Sequence, residues 1–198
     1  MVNPGITAAT RRVRVAVFLL YAWIPHAWAG PIDDRMVPCL ACHGEKGQST
    51  MVEVPSLGAQ REPYVLIQLY LFREKLRRDE IMNEAVKGFT DDDLRTFADA
   101  LSRLPAPPPT TDTTDPARMV RGQALVRQHR CNVCHSTDLA GRDAVPRIAG
   151  QREDFLVKTM REYKGNIRAG YDASMGDVMQ PIPDADILDL AYFTARQP

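Results

Sequence analysis

Two Cys-x-x-Cys-His segments, Cys39-Leu40-Ala41-Cys42-His43 and Cys131-Asn132-Val133-Cys134-His135, stand 92 residues apart, and the sequence around each follows the same plan. Pro55, Gln60-Arg61-Glu62 and Tyr64 return as Pro146, Gln151-Arg152-Glu153 and Phe155 at an offset of 91. Met82, Thr90-Asp91 and Leu94 return as Met175, Pro183-Asp184 and Ile187 at 93. Offsets that drift by one residue describe a tandem duplication with small loop changes. Such a chain folds as two copies of one unit, and anything bound through the motif is bound twice.

Each copy is small. Pro105-Ala106-Pro107-Pro108-Pro109-Thr110-Thr111-Asp112-Thr113-Thr114-Asp115 has no apolar period and is stiffened by proline, so 105–115 reads as a linker between a first domain, 30–104, and a second, 116–198. A unit of that size stabilises itself poorly with a hydrophobic core alone, so a staple such as a covalent cofactor is expected. Within each unit the pattern is helical. Tyr64, Ile67 and Leu71 mark one face after Gln60, and Phe155, Thr159 and Tyr163 do so after Gln151. Thr90 to Asp93 has the form of a capping box ahead of Leu94, Phe97, Ala98 and Leu101, while the second copy puts Pro183-Asp184 before Ile187, Leu190, Ala191 and Thr194. No stretch alternates convincingly as a strand.

The first 29 residues stand apart. Arg11, Arg12 and Arg14 precede the apolar run from Val15 to Ile24, and Ala27-Trp28-Ala29 offers small residues for cleavage, which is the pattern of a secretory signal. The apolar run of ten residues is short for a bilayer, which needs about 20. The expected compartment is the periplasm, where thiols can be oxidised. Over the whole chain, 25 Lys and Arg balance 25 Asp and Glu. Removing the signal leaves 22 against 25, so there is no basic field for nucleic acid.

The motif has the spacing of c-type haem attachment. Two thiols one helical turn apart can add to the two vinyl groups of a haem, and the following imidazole then faces the iron. Zinc would need four ligands per unit, yet residues 44 to 128 hold no His or Cys. A thioredoxin-like dithiol would need a strand–helix setting, and a disulfide across three residues closes no useful loop.

Two covalent haems c are therefore expected, on Cys39, Cys42, Cys131 and Cys134, with His43 and His135 as iron ligands. His129, two residues before Cys131, reads as a surface residue at a helix end. The sixth ligand then falls to methionine, which raises the potential. Met82 and Met175 share one register and are the expected pair, with Met179 as a rival to Met175. Met160 and Met179 align with Leu69 and Val86 and suit packing. Pro55 and Pro146, 12 and 11 residues after the histidines, can hold a carbonyl against the free ring N–H of each.

These motifs, together with the Pro-x-x-x-x-Gln-Arg-Glu stretches and the helices ending at Tyr70-Leu71-Phe72-Arg73 and Tyr163 to Arg168, resemble the dihaem cytochromes c of the cytochrome c4 family over essentially the whole mature chain. The resemblance implies an all-α fold of two class I cytochrome c domains, His/Met ligation in each, and haem propionates facing each other near the domain interface. It further implies an electron carrier rather than an enzyme, passing single electrons between respiratory partners toward a terminal oxidase. The donor would be a redox protein such as a quinol–cytochrome c reductase, and the membrane would be met only through partners. The dihaem subunit of flavocytochrome c sulfide dehydrogenase has the same architecture, so an electron-accepting subunit beside a flavoprotein is the alternative.

One departure from the family pattern concerns the first domain. The second copy has Pro116 to His129 for a helix ahead of its motif, with Gly122 for a close crossing and Tyr192 and Phe193 on the terminal helix. The first has only Gly30 to Pro38, room for about two turns, and Asp99 and Ala100 at the aromatic positions. Domain 1 is expected to be the less stable half, with its haem more open to solvent.

Overall fold

The computed structural model describes Met1, residues 31–168 and residues 173–198. Beyond Met1, the expected signal segment lies outside the described residues. Nine helices form the described part: α1 (Pro31–His43), α2 (Glu62–Arg73), α3 (Glu80–Ala85), α4 (Asp91–Ser102), α5 (Pro116–Gln128), α6 (Cys131–His135), α7 (Glu153–Lys164), α8 (Ser174–Met179) and α9 (Asp184–Ala195). Among the described residues the only β-pairing is an isolated bridge between Arg142 and Val145. No helix among them is long and apolar enough to cross a membrane.

The duplication is visible in the packing. Helices α2, α3 and α4 correspond to α7, α8 and α9, and each set closes on its own core. Val65, Leu69, Phe72, Leu94, Phe97, Ala98 and Leu101 fill the first. Leu156, Met160, Met179, Ile187, Leu190, Ala191 and Phe193 fill the second. The apolar faces of α4 and α9 are those the periodicity predicts, and Thr194 is buried with its α9 neighbours. The Thr90 hydroxyl accepts from the Asp93 N–H and the Asp93 carboxylate accepts from the Thr90 N–H, which closes the capping box at α4. Pro183 at the start of α9 supplies no side-chain cap.

The chain before each motif is built differently in the two halves. In the second, α5 ends at Gln128 with His129 as its cap, Arg130 turns into the left-handed region at φ 56°, and α6 starts afresh at Cys131. In the first, α1 runs unbroken through Pro38 into the motif, so eight residues, about two turns, precede Cys39. Pro38 occupies the position equivalent to Arg130, and its missing N–H interrupts the helical ladder at the same point. Helix α5 lies along α9 far more extensively than α1 lies on α4. Gly122 permits that crossing, since a Cβ there would stand 2.4 Å from both the Asp189 carbonyl oxygen and the Phe193 Cβ.

One expectation about these ends needs correction, and the other gains a structural detail. His129 is not a surface residue: it is partly buried, and its Nε2 is enclosed without a hydrogen-bond partner. Domain 1 does lack aromatics at Asp99 and Ala100, yet Phe89 and Phe97 stack at 4.6 Å between centroids, where domain 2 has Ile182 and Leu190. Arg35 of α1 lies over both rings and pairs with Asp93 at 2.6 Å. The short α1 is thus pinned by a cation over aromatic faces rather than by a long helix crossing.

The linker segment is laid against both halves. Gln48 Nε2 donates to the Ala106 carbonyl (2.9 Å), the Thr110 N–H donates to the Ala195 carbonyl (2.9 Å), and Arg196 pairs with Asp112 (2.6 Å). Pro107 is buried.

Candidate functional site

Cys39, Cys42 and His43 occupy the last turn of α1, and Cys131, Cys134 and His135 occupy α6. A helical turn puts residues three apart on one face, so each thiol pair faces the same way. Among the described residues no two cysteines are joined in a disulfide; Cys134 is exposed and the others are partly covered. Burial pushes the Cys39 and Cys131 thiols above their ordinary range.

Both histidines are buried, His43 at 6% exposure and His135 at 8%. His43 Nδ1–H donates to the Pro55 carbonyl at 2.8 Å, and His135 Nδ1–H donates to the Pro146 carbonyl at 2.9 Å. A carbonyl can only accept, so the proton is fixed on Nδ1 and Nε2 is left with its lone pair. Burial pulls both imidazoles below their ordinary range in spite of the carbonyl that favours the charged form. A neutral ring with Nε2 free is the state that binds a metal.

The methionines divide by register. Met82 on α3 is partly buried against the core that Cys39 also touches, and Met175 on α8 is partly buried against the core that Cys131 touches. Met179 is 1% exposed within its core, as Val86 is at 2% in the other. The short helices α3 and α8 escape the sequence reading because six residues give too little period to see. The Asp79 carboxylate caps α3 by accepting from the Met82 N–H at 3.0 Å, whereas α8 has no side-chain cap.

Between the domains lies a cationic pair that sequence reasoning passed over. Arg77 and Arg168 stand at the repeat offset of 91 and both donate to Gln68 Oε1, at 2.7 and 3.3 Å. Arg168, 6% exposed, also donates to the Tyr64 hydroxyl (3.0 Å) and to Thr159 Oγ1 (3.1 Å). Burial, then the like charge of Arg168, pulls Arg77 down to about 10. Neither guanidinium is ion-paired with a carboxylate among the described residues. The signal available in the sequence was their shared register.

These residues fit a haem in each half. Paired thiols on one turn and a neutral imidazole whose Nδ1–H is already committed match its vinyls and iron.

No family model matches the chain. A cytochrome c4 from Thiocapsa roseopersicina is 29% identical over 141 residues, covering 66% of this chain and 71% of that one. The thiosulfate dehydrogenase electron acceptor of Thiomonas intermedia (strain K12) is 26% identical over 186 residues, 86% of each. The structure of reduced cytochrome c4 from Pseudomonas stutzeri has a TM-score of 0.75 over 83% of this chain and 96% of that one, at 24% identity, which speaks for a shared fold of two class I cytochrome c domains. The duplicated motif, the helical fold and the likeness to several cytochromes c4 together support a dihaem, electron-transferring c-type cytochrome of the cytochrome c4 kind.

Proposed function

We propose that the chain is a periplasmic carrier in which Cys39 and Cys42 anchor one haem c and Cys131 and Cys134 the other, with iron held by His43 and Met82 in the first domain and by His135 and Met175 in the second. When bound, the haem supplies the one-electron Fe(III)/Fe(II) couple. The protein's own part is to fix the tautomer of each imidazole, to offer a thioether that favours ferrous iron, and to exclude water behind α2 and α7. The observation that carries this reading is the symmetry of the His43–Pro55 and His135–Pro146 bonds. The matching half-covered positions of Met82 and Met175 support the thioether ligands, and the deep burial of Met179 suits packing.

On this reading residues 1–29 are a cleaved signal, 30–104 and 116–198 are the two domains, and 105–115 joins them. Electrons arrive singly from a redox protein and leave toward a terminal oxidase. The Thiomonas relative favours a second reading, in which the chain takes electrons from a dehydrogenase as its accepting subunit.

The test of ligation uses the loaded protein. A pyridine haemochrome assay on denatured chain should return two covalent haems. Met175→Ala should abolish the thioether-to-iron charge-transfer signal of the second domain, while Met179→Leu, which conserves core volume, should keep it. The reverse pattern moves the ligand to Met179. For the partner, stopped-flow reduction by a thiosulfate-oxidising dehydrogenase against reduction by a quinol–cytochrome c reductase separates the two readings by rate.

A further inference from the structure

Pro55 and Ser56 share one peptide group, as do Pro146 and Arg147. The carbonyl end of each group accepts from His43 or His135. The N–H end of each donates to a glutamine of the other domain. The Ser56 N–H donates to Gln151 Oε1 at 2.8 Å, and the Arg147 N–H donates to Gln60 Oε1 at 3.1 Å. Each glutamine then closes the loop by donating from Nε2 to the carbonyl of the same residue, Ser56 at 2.9 Å and Arg147 at 2.7 Å. Gln60 and Gln151 are 6% and 4% exposed, and Ser56 is 3% exposed. The two sets of bonds correspond residue by residue at the offset of 91.

We propose that Gln60 and Gln151 are positioning residues that act across the domain interface, each on the proximal histidine of the opposite domain. The proposal rests on the ligation by His43 and His135 given above. A peptide whose N–H donates is polarised, and its carbonyl becomes a stronger acceptor. A stronger acceptor on Nδ1–H makes the imidazole more basic, which favours ferric iron and lowers the potential. The same glutamine holds the peptide by two bonds, so it also fixes where that carbonyl points. Tight interdomain packing alone would need neither the alignment of both bonds on one backbone residue nor that residue's place directly after the proline. The consequence is crossed control: the redox midpoint of each site depends on a side chain carried by the other domain.

The experiment measures both midpoint potentials in full-length, haem-loaded chain by spectroelectrochemistry, with sites assigned through the NMR signals of their methionine methyl groups. Gln151→Leu should raise the midpoint of the His43 site and leave the His135 site in place, and Gln60→Leu should do the opposite. Gln151→Glu and Gln60→Glu keep an acceptor for the peptide N–H and should hold the opposite site at or below its wild-type midpoint. Amide exchange at Ser56 and Arg147 gives a readout independent of the iron, and should quicken in the leucine variant of the opposite glutamine only. Unmoved midpoints, equal shifts at both sites, or a shift confined to the variant's own domain overturns the proposal. If a leucine variant does not accumulate, the glutamate variants decide: an upward or same-domain shift refutes it. Failure of the ligation reading looks different, since wild-type chain would then lack the His/Met spectrum at one or both sites.

Discussion

The two halves hold the same motif with different devices. Domain 2 lays a thirteen-residue helix, α5, along α9, lets the backbones approach at Gly122, and locks the crossing with Arg118 and Arg121 on Asp189 at 2.9 and 2.6 Å. Tyr192 lies beneath both Arg118 and Arg196, and its hydroxyl accepts from the Asp115 N–H at the entry to α5. Domain 1 has two turns of helix in place of α5 and relies on Arg35, stacked Phe89 and Phe97, and a complete capping box. A duplicated fold can therefore lose a long helix crossing on one side if a few concentrated contacts replace it. The contacts then become individually more important, and that is where the comparison can be broken.

The largest effect is expected at Phe97, 1% exposed at the centre of the domain 1 cluster. Phe97→Ala should cost about 3–5 kcal/mol, a large share of what a small domain has. It should expose the amides of α4 to hydrogen exchange while leaving α9 protected. If α9 loosens as much as α4, the halves are one cooperative unit and the contrast between them fails. Next comes Gly122→Ala, whose new methyl must displace backbone and the Phe193 Cβ, at a cost of about 1–3 kcal/mol confined to domain 2. Denaturant midpoints read domain by domain check both. Smaller again is Thr90→Ala, which removes one side of the capping box and should lower domain 1 by about 1 kcal/mol. Domain 2 has no equivalent cap to lose, so Pro183→Ala should cost less.

Much of this was legible beforehand, for physical reasons that differ by residue. The faces of α4 and α9 could be read because mainly apolar positions recurring at helical spacing have few other uses, and the His43–Pro55 and His135–Pro146 bonds because proline supplies a carbonyl without a donor. Phe89 and Phe97 could not be paired from the sequence, since they come from a loop and a helix that only the folded core brings together. Arg77, Arg168 and the crossed glutamines depend on how two domains sit against each other. Gln60 and Gln151 served to align the repeats, yet a repeat says only that a residue is used twice, and here each is used in the other copy.

The smallest effect concerns pH and separates the halves by charge. Asp93 is held well below the usual carboxylate range by its hydrogen bond from Arg35, then by the Thr90 N–H and hydroxyl. Asp189 is likewise lowered, first by Arg121 and, beyond some opposing burial, by Arg118. A carboxyl whose folded value lies below its unfolded one, near about 4, stabilises the fold above that pH and loses the contribution as pH falls toward the folded value. Each domain should thus weaken in acid through its own aspartate. Arg35→Ala should flatten that acid loss in domain 1 and leave domain 2 unchanged, and Arg121→Ala should do the reverse. Both pairs include an exposed guanidinium, so the effect should be clear at low ionic strength and shrink as salt screens it. Amide exchange on α4 and α9 between neutral pH and about pH 3 measures it. An Arg35→Ala variant that leaves the acid response of α4 intact would show that Thr90 alone holds Asp93 down, and would move the pinning of α1 from its ion pair to the Phe89–Phe97 faces.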